Sequence, residues 1–593
     1  MHRFRISPLQ ILASVLGLFL ALPFSAASPA TPIEQANHAL NRLGYGPRPG
    51  EIASVAEAGV ETWIRAQLNP ATTPDPVADA LVAKLEKLKL SSADFSAAQR
   101  AIIQARRAQA AANTSAMNPA EAGSMASAAP APRERYAGLQ EERQLVPAAI
   151  GELQHAKLVR AVHSEHQLEE VLVDFWFNHF NVDARKQAVA ATLVSYEQDT
   201  IRPHVFGSFR ELLGATAKSG AMMVYLDNAR SSKEQELRPA QQRAAAQLRA
   251  DTTGMSMEEA VAAAPTRRGL NENYGRELLE LHTLGLDGGY TQKDVQEVAR
   301  AFTGWTVEPR TGEFVFRLQM HDTRPKNILG IELRSGGGMD DGEKVLDLLA
   351  THPATARHLA FKLAQRFVHD TPPEALVTRV ADAFLTTKGD LRATYEALFF
   401  SAEFFAPENL RVKTKSPFEF LASSLRASGA EFTDANNLLR GRVSVRAIEA
   451  NAALGRGGDR FASLPRKTAM LHLVEMGQSL YAWGPPTGFP EDSSTWVSAG
   501  ALVSRLNFAL ALTAGQVADA RLDVRPLLGE ANPDKPEAVV DALSDALLGA
   551  PPSANTRRVL LAQAAPSVAG ETPVPDVTKI LALLLGSPEF QRR

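Results

Sequence analysis

Apolar residues recur along this chain mainly at the spacing of amphipathic helices, and polar detail interrupts that spacing in a few places. The most detailed stretch is residues 271–305, NENYGRELLELHTLGLDGGYTQKDVQEVARAFTGW, which predicts helix, tight turn, helix. Asn273, Glu277 and Glu280 fall at i, i+4 and i+7 and share one face, with Tyr274, Leu278 and Leu281 on an apolar face beside it. Gly285 ends the first helix, and Asp287-Gly288-Gly289 supplies turn residues. Thr291 with Asp294 reads as a short capping box for the second helix, which runs to about Phe302.

Residues 145–180 predict two more helices. Ser164 and Gln167 read as N-cap and N3 of a capping box opening the second, which ends in DFWFNHFNV. There Asp174 and Asn178 share one face, Phe175 and His179 another, Trp176 and Phe180 a third. A helix so apolar all round is expected to be buried. Its Asp, Asn and His must then find partners, either in a structural network or on the wall of a pocket. Helix resumes over 342–369, where His358, Lys362 and Arg366 form a basic stripe, a candidate partner for the acidic Glu277 and Glu280. Arg411, Lys413 and Lys415 alternate in RVKTKSP. An extended segment would aim all three one way, suiting a carboxylate or phosphate; a solvated basic loop is the plain alternative. In the loop at 477–496, Trp483, Phe489 and Trp496 are costly to expose. They are expected to pack over the helices as a lid or plug, or to line a ligand site.

One clear β signal is present. Residues 306–308 and 313–317 alternate about the turn Pro309-Arg310-Thr311-Gly312, and predict a hairpin. His321, Asp322 and Lys326 follow on a loop and give a mild site signal. Two stretches lose the periodicity: 104–135, rich in Ala, Ser, Pro and Met, and 230–268, charged and rich in Ala and Gln. The first is expected to extend a helix and turn mobile from Asn113; both read as mobile insertions. The expected fold class is mainly α: one large multi-helix domain over 28–593, with one small β-hairpin and two low-complexity insertions.

Composition is that of an ordinary globular protein, 45% apolar and 22% charged, and a net charge of −3 gives no basic nucleic-acid footprint. The N-terminus reads as a secretory signal. His2, Arg3 and Arg5 precede an apolar run at 9–22, and Ser25-Ala26-Ala27 places cleavage after Ala27. Removing residues 1–27 takes away two arginines and no acid, so the mature charge would be −5. The run is shorter than the ~20 residues of a spanning helix, which disfavours an uncleaved anchor. No later stretch is long and apolar enough to span. A periplasmic or secreted bacterial protein is the expectation. With no cysteine, lipid attachment at Cys, disulfides, thiolate zinc and iron–sulfur sites are excluded.

Several motifs together resemble the bacterial domain-of-unknown-function family 1800: HALNRLGYGP, DFWFNHFNV, NENYGRELLELHTLG with GGYTQKDVQEVARAFTGW, HPATARHLAFKLAQRFV, RVKTKSPFEF and the GPPTGFP loop. The resemblance covers nearly the whole mature chain and implies an exported, mainly helical protein without implying a reaction. It also implies a possible partner, since members often stand beside exported, sulfatase- or phosphatase-like proteins of domain-of-unknown-function family 1501.

HExxH, GxSxG and Walker signatures are missing, and the sequence leaves the cofactor unknown. A carboxylate/histidine metal site stays open. His282 turns away from Glu280 and is expected to be a packed core residue. Two functions compete. In the first, Glu277, Glu280 and His179 do acid–base work on a glycan or phosphoester. Asp174, Asn178, Asn273, Arg276, His321, Asp322, Lys326, Arg411 and Lys413 then stand as candidate binding residues. In the second, the chain is a non-catalytic scaffold or partner, and the same polar groups only fix helix packing.

Overall fold

Helices in this chain start where short polar side chains can take up free backbone amides. A computed structural model of the chain describes residues 30–116, 139–236, 239, 242–243, 246–247, 256–262, 267–432, 466–564 and 575–593; the leader expected at 1–27 lies outside the described residues. The helices used below are α1 (Pro32–Arg42), α2 (Ser92–Ala116), α3 (Gln140–His163), α4 (Gln167–His179), α5 (Phe209–Lys218), α6 (Gly220–Tyr225), α7 (Asn273–Glu280), α8 (Gln292–Ala301), α9 (Asp340–Ala350), α10 (Pro353–Phe367), α11 (Pro417–Ala427), α12 (Ala469–Glu475), α13 (Ala499–Thr513) and α14 (Val577–Leu585). Thr31, Ser208, Thr291 and Ser416 each close a full capping box with the acid three residues on. The chain is mainly α, as its periodicity predicts.

The box expected at Ser164 and Gln167 does not form. Ser164 Oγ donates instead to Asp75 Oδ2 at 2.5 Å, and Gln167 Oε1 accepts from Tyr45 N at 3.0 Å. Long-range partners thus take both members, and α4 begins with Gln167 behind an uncapped His166. α2 runs on to Ala116, past the expected break at Asn113, as its alanines favour; residues 117–135 lie outside the described residues.

The predicted hairpin is present, with β3 (Trp305–Val307) antiparallel to β4 (Phe314–Phe316) and Trp305 opposite Phe316. Three further two-stranded pairs occur among the described residues: β1 (Gln235–Glu236) with β2 (Arg267–Arg268), β5 (Lys326–Ile328) with β6 (Ile331–Leu333), and β7 (Glu431–Phe432) with β8 (Ala520–Arg521). The β1–β2 pair closes the base of the second insertion, most of whose interior lies outside the described residues.

Buried apolar side chains from α1 to α14 form one continuous cluster. α4 lies in its middle. Trp176 is fully buried, and its Nε1 donates to Tyr395 Oη at 2.6 Å, which in turn donates to Val205 O at 2.8 Å. Arg42 is also fully buried. Its guanidinium satisfies three carbonyls, Phe367 O, Val368 O and Asn409 O, at 2.8–3.1 Å, and so caps the end of α10 from α1. Asp519, just before β8, is 1% exposed; Oδ1 accepts from Ala469 N at 2.8 Å at the start of α12, and Oδ2 has no partner among the described residues. No helix among the described residues is long and apolar enough to cross a membrane.

Candidate functional site

Asn178 near the end of α4, and Asn181 just beyond it, face the loop at 477–496. Asn178 Nδ2 donates to Phe489 O at 2.8 Å and to Glu491 Oε1 at 3.2 Å, and its Oδ1 accepts from Phe489 N at 2.6 Å. Asn181 donates to Trp483 O and Pro485 O, at 3.0 and 2.8 Å, and Tyr225 Oη donates to Gly484 O at 2.5 Å. The loop therefore packs over the helices, with Phe489 between Trp483 and Trp496 at ring separations of 4.5 and 6.0 Å. Gly488 is required there: its φ is +71°, and a Cβ would lie 2.2 Å from Asn178 O.

Beneath this loop is a cleft with about 40 Å³ of open space, bordered by α3, α4, α10 and α11. That volume holds about three waters. Its charged lining is three cations and three carboxylates: Lys157, Arg366 and Arg593 against Asp174, Glu419 and Glu491. Arg366, 4% exposed, pairs with Glu419 at 2.9 Å, Glu491 at 3.2 Å and Asp174 at 3.5 Å. Lys157 pairs with Asp174 at 2.8 Å, and Arg593 with Glu419 at 3.0 Å. Burial pushes the Glu419 carboxyl up, but Arg366 and Arg593 outweigh it and hold it at about 2. At the cleft's edge Lys413 pairs with Asp370 at 2.5 Å and donates to Glu491 O at 2.8 Å; burial, with Arg593, brings its ammonium down to about 8.

The structure thus brings Asp174, Asn178 and Lys413 to one place. His179 is next to them in sequence but points the other way, into the core. Its Nε2 donates to His282 O at 3.1 Å, and its ring stands 6.2 Å from those of His282 and His358. Burial and the charge of Lys362 hold His282 at about 3 and His358 at about 4, and His179 is lowered as well, so all three are neutral near pH 7. His282 is a packed core residue, as expected. The basic stripe of α10 divides. Arg366 meets the carboxylates of the cleft, His358 Nε2 donates to Leu281 O at 3.2 Å, and Lys362 makes no hydrogen bond or ion pair with Glu277 or Glu280. Gly285 permits that approach, since a Cβ there would lie 2.8 Å from His358 Nδ1.

Glu277 and Glu280 share the predicted face of α7, away from the cleft lining. Burial and the neighbouring Glu280 raise the Glu277 carboxyl. Glu280 accepts a long contact from Tyr290 Oη at 3.5 Å. Arg276 bridges to Gln292 at 2.9 Å and Glu272 at 3.4 Å, and Asn273 donates to Leu226 O at 3.4 Å. Among the described residues, no group of three or more His, Asp or Glu side chains is placed to hold a metal ion.

His321, Asp322 and Lys326 form a separate buried group. His321 Nδ1 donates to Thr303 O at 2.7 Å, its Nε2 lies 3.2 Å from Asp341 Oδ2, and Lys326 Nζ reaches the same oxygen at 2.7 Å. Asp322 takes Arg300 and Arg324, which overcome its burial and depress its carboxyl strongly. This group ties β5 to α8 and α9. Arg411, at φ 53°, donates to Leu548 O at 2.9 Å, while Lys415 lies 4.1 Å above the Phe590 ring. The three cations of RVKTKSP therefore face three different partners rather than one anion.

Sequence reasoning missed Glu419 and Glu491 as site residues and placed Arg366 only as a stripe member. Glu419 was concealed by its capping role, which it does fulfil while also facing the cleft. No curated protein and no solved structure matches this chain. The family described as Protein of unknown function (DUF1800) matches residues 38–592. With nearly its whole length covered, the chain belongs to the DUF1800 family.

Proposed function

We propose that this protein is an exported helical scaffold that holds a partner protein, and that its cleft is not a catalytic centre. The supporting observation is saturation. Every charged group lining the cleft is already paired with another lining group, and the lining charges balance at three against three. A general acid or base needs a proton-transfer group free to reach substrate and poised near the working pH. Glu419, held at about 2 by two guanidinium groups, meets neither condition. The space of about 40 Å³ admits water and not a sugar or a phosphoester. His179, of the catalytic set in the competing reading, is turned into the core against His282 O at 3.1 Å, which supports the scaffold reading.

The partner class that fits is the exported, sulfatase- or phosphatase-like family 1501 implied by the family resemblance. The test has two arms on the purified mature chain. Chromogenic glycosides and phosphomonoesters should show no turnover; hydrolysis abolished by Glu491→Gln would overturn the scaffold reading. A purified family 1501 protein from the same organism should co-elute with the chain as a stoichiometric complex, and separate elution of the two would overturn the choice of partner.

A further inference from the structure

A second hollow lies between the start of α2, the turn of π-helix at Tyr196–Ile201, the start of α6 and the tip of the β3–β4 hairpin. It has about 180 Å³ of space and is open to solvent. An engineered cavity of about 150 Å³ holds a benzene ring, so this space takes one six-membered ring with its substituents. π-helical turns are rare and occur frequently at functional sites.

The wall is unusually rich in hydroxyls, and their protons are committed. Ser195 Oγ donates to Thr192 O at 3.1 Å, so Ser92 is the donor in its 2.8 Å contact with Ser195. Thr192 Oγ1 donates to Val189 O at 3.1 Å, and Ser219 Oγ to Thr216 O at 2.9 Å. Thr200 Oγ1 is aimed at Ser195 O at 3.5 Å. What such hydroxyls have left to offer is oxygen lone pairs. At the rim, the Glu313 carboxylate has no hydrogen bond or ion pair among the described residues and adds a further acceptor. A ligand that suits this wall must bring donors. An ammonium group would do so, but from a single atom, whereas these acceptors are spread over α2, the π-helical turn, the start of α6 and the hairpin tip, and the one lining cation, Lys218, is already neutralised by Glu343 at 2.5 Å. A neutral ring carrying several O–H groups meets both conditions.

We propose that this hollow is a binding site for a neutral polyhydroxylated ring, one sugar residue in size. The site stands apart from the cleft and does not depend on the scaffold reading. With about a dozen non-hydrogen atoms and ordinary ligand efficiency, a free hexose should bind with a Kd on the order of 1 mM. The experiment is calorimetric titration of the full chain with glucose, galactose, mannose and N-acetylglucosamine, with ethanolamine as the cationic, donor-bearing probe. At least one sugar should bind saturably with one-to-one stoichiometry, and ethanolamine should not. Ser92→Leu, which fills the hollow from a half-buried position at the start of α2, should abolish binding. Glu313→Gln, at the exposed rim, should weaken it about tenfold. An unchanged circular dichroism spectrum checks the fold of both variants. No saturable binding of any of the four sugars, binding of ethanolamine in their place, or sugar binding unaltered by both substitutions would overturn the proposal.

Discussion

Asp519 offers the sharpest quantitative test of the electrostatics. Burial is the leading cause that raises its carboxyl from 3.8 to about 6, while the hydrogen bond from Ala469 N opposes the rise. The folded protein therefore prefers the protonated acid. Because the folded value is the higher one, the stabilisation is fully present below the unfolded value of 3.8 and is lost as pH rises through about 6. A shift of about two units corresponds to about 3 kcal/mol over the whole window, of which about 2 kcal/mol falls between about pH 4 and about pH 7.5. Asp519→Asn keeps the acceptor for Ala469 N and removes the titration. The new amide has no partner for its N–H groups and carries a cost of about 1–3 kcal/mol, but that cost is the same at both pH values. Guanidinium unfolding of wild type and variant, followed by far-ultraviolet circular dichroism, yields the difference between the two proteins at each pH. The variant should gain about 2 kcal/mol on wild type in going from about pH 4 to about pH 7.5. An equal difference at the two pH values would refute the argument that the buried carboxylate is what the fold resists.

Three further outcomes follow from the same kind of reasoning. Lys415 is 3% exposed, and burial lowers its ammonium from 10.5 to about 7, so wild-type stability should rise as pH increases from about 7 towards 10.5. Lys415→Met should stabilise the protein by roughly 3 kcal/mol near pH 7.5 and lose that advantage by about pH 10.5, checked by denaturant midpoints at both. Arg366→Met leaves Glu491 without its cation and takes one of two cations from Asp174 and from Glu419, and should cost about 3–5 kcal/mol in the same assay. Gly488→Ala places a methyl against Asn178 O at positive φ, and should cost about 2 kcal/mol or more. It should also change the near-ultraviolet circular dichroism of the loop tryptophans while leaving the far-ultraviolet helix signal intact.

The sequence was informative wherever one element's own pattern decides the outcome. The Thr291 capping box, the burial of α4, the 305–316 hairpin and the inward packing of the 477–496 loop all depend on local spacing or on the cost of exposing aromatic rings. It was silent on what stands opposite a face. Glu277 and Glu280 share a face as periodicity demands, yet Arg366, the stripe's candidate partner for them, is taken by Asp174, 192 positions earlier. Ser164 and Gln167 form a correct cap motif that Asp75 and Tyr45 dismantle from 89 and 122 positions away. Lys413 and Arg411 alternate as an extended strand would, but Arg411 takes positive φ and the two side chains part. The family resemblance needed none of these pairings, because it rests on motifs spread over the whole chain.

The β1–β2 pair at the base of the second insertion has a practical meaning for engineering. Gln235 pairs with Arg268 and Glu236 with Arg267, and just below them Ser232 N donates to Gly269 O at 2.7 Å. Two residues on each side act as a clasp that fixes where the insertion leaves and rejoins the helical body. Closing a loop twice as long costs only about 0.6 kcal/mol more. A fluorescent protein or an affinity module spliced between residues 237 and 266 should therefore leave the helical body and both hollows as they are. That makes the clasp a port through which a reporter can be attached while the chain is assayed for sugars and partners.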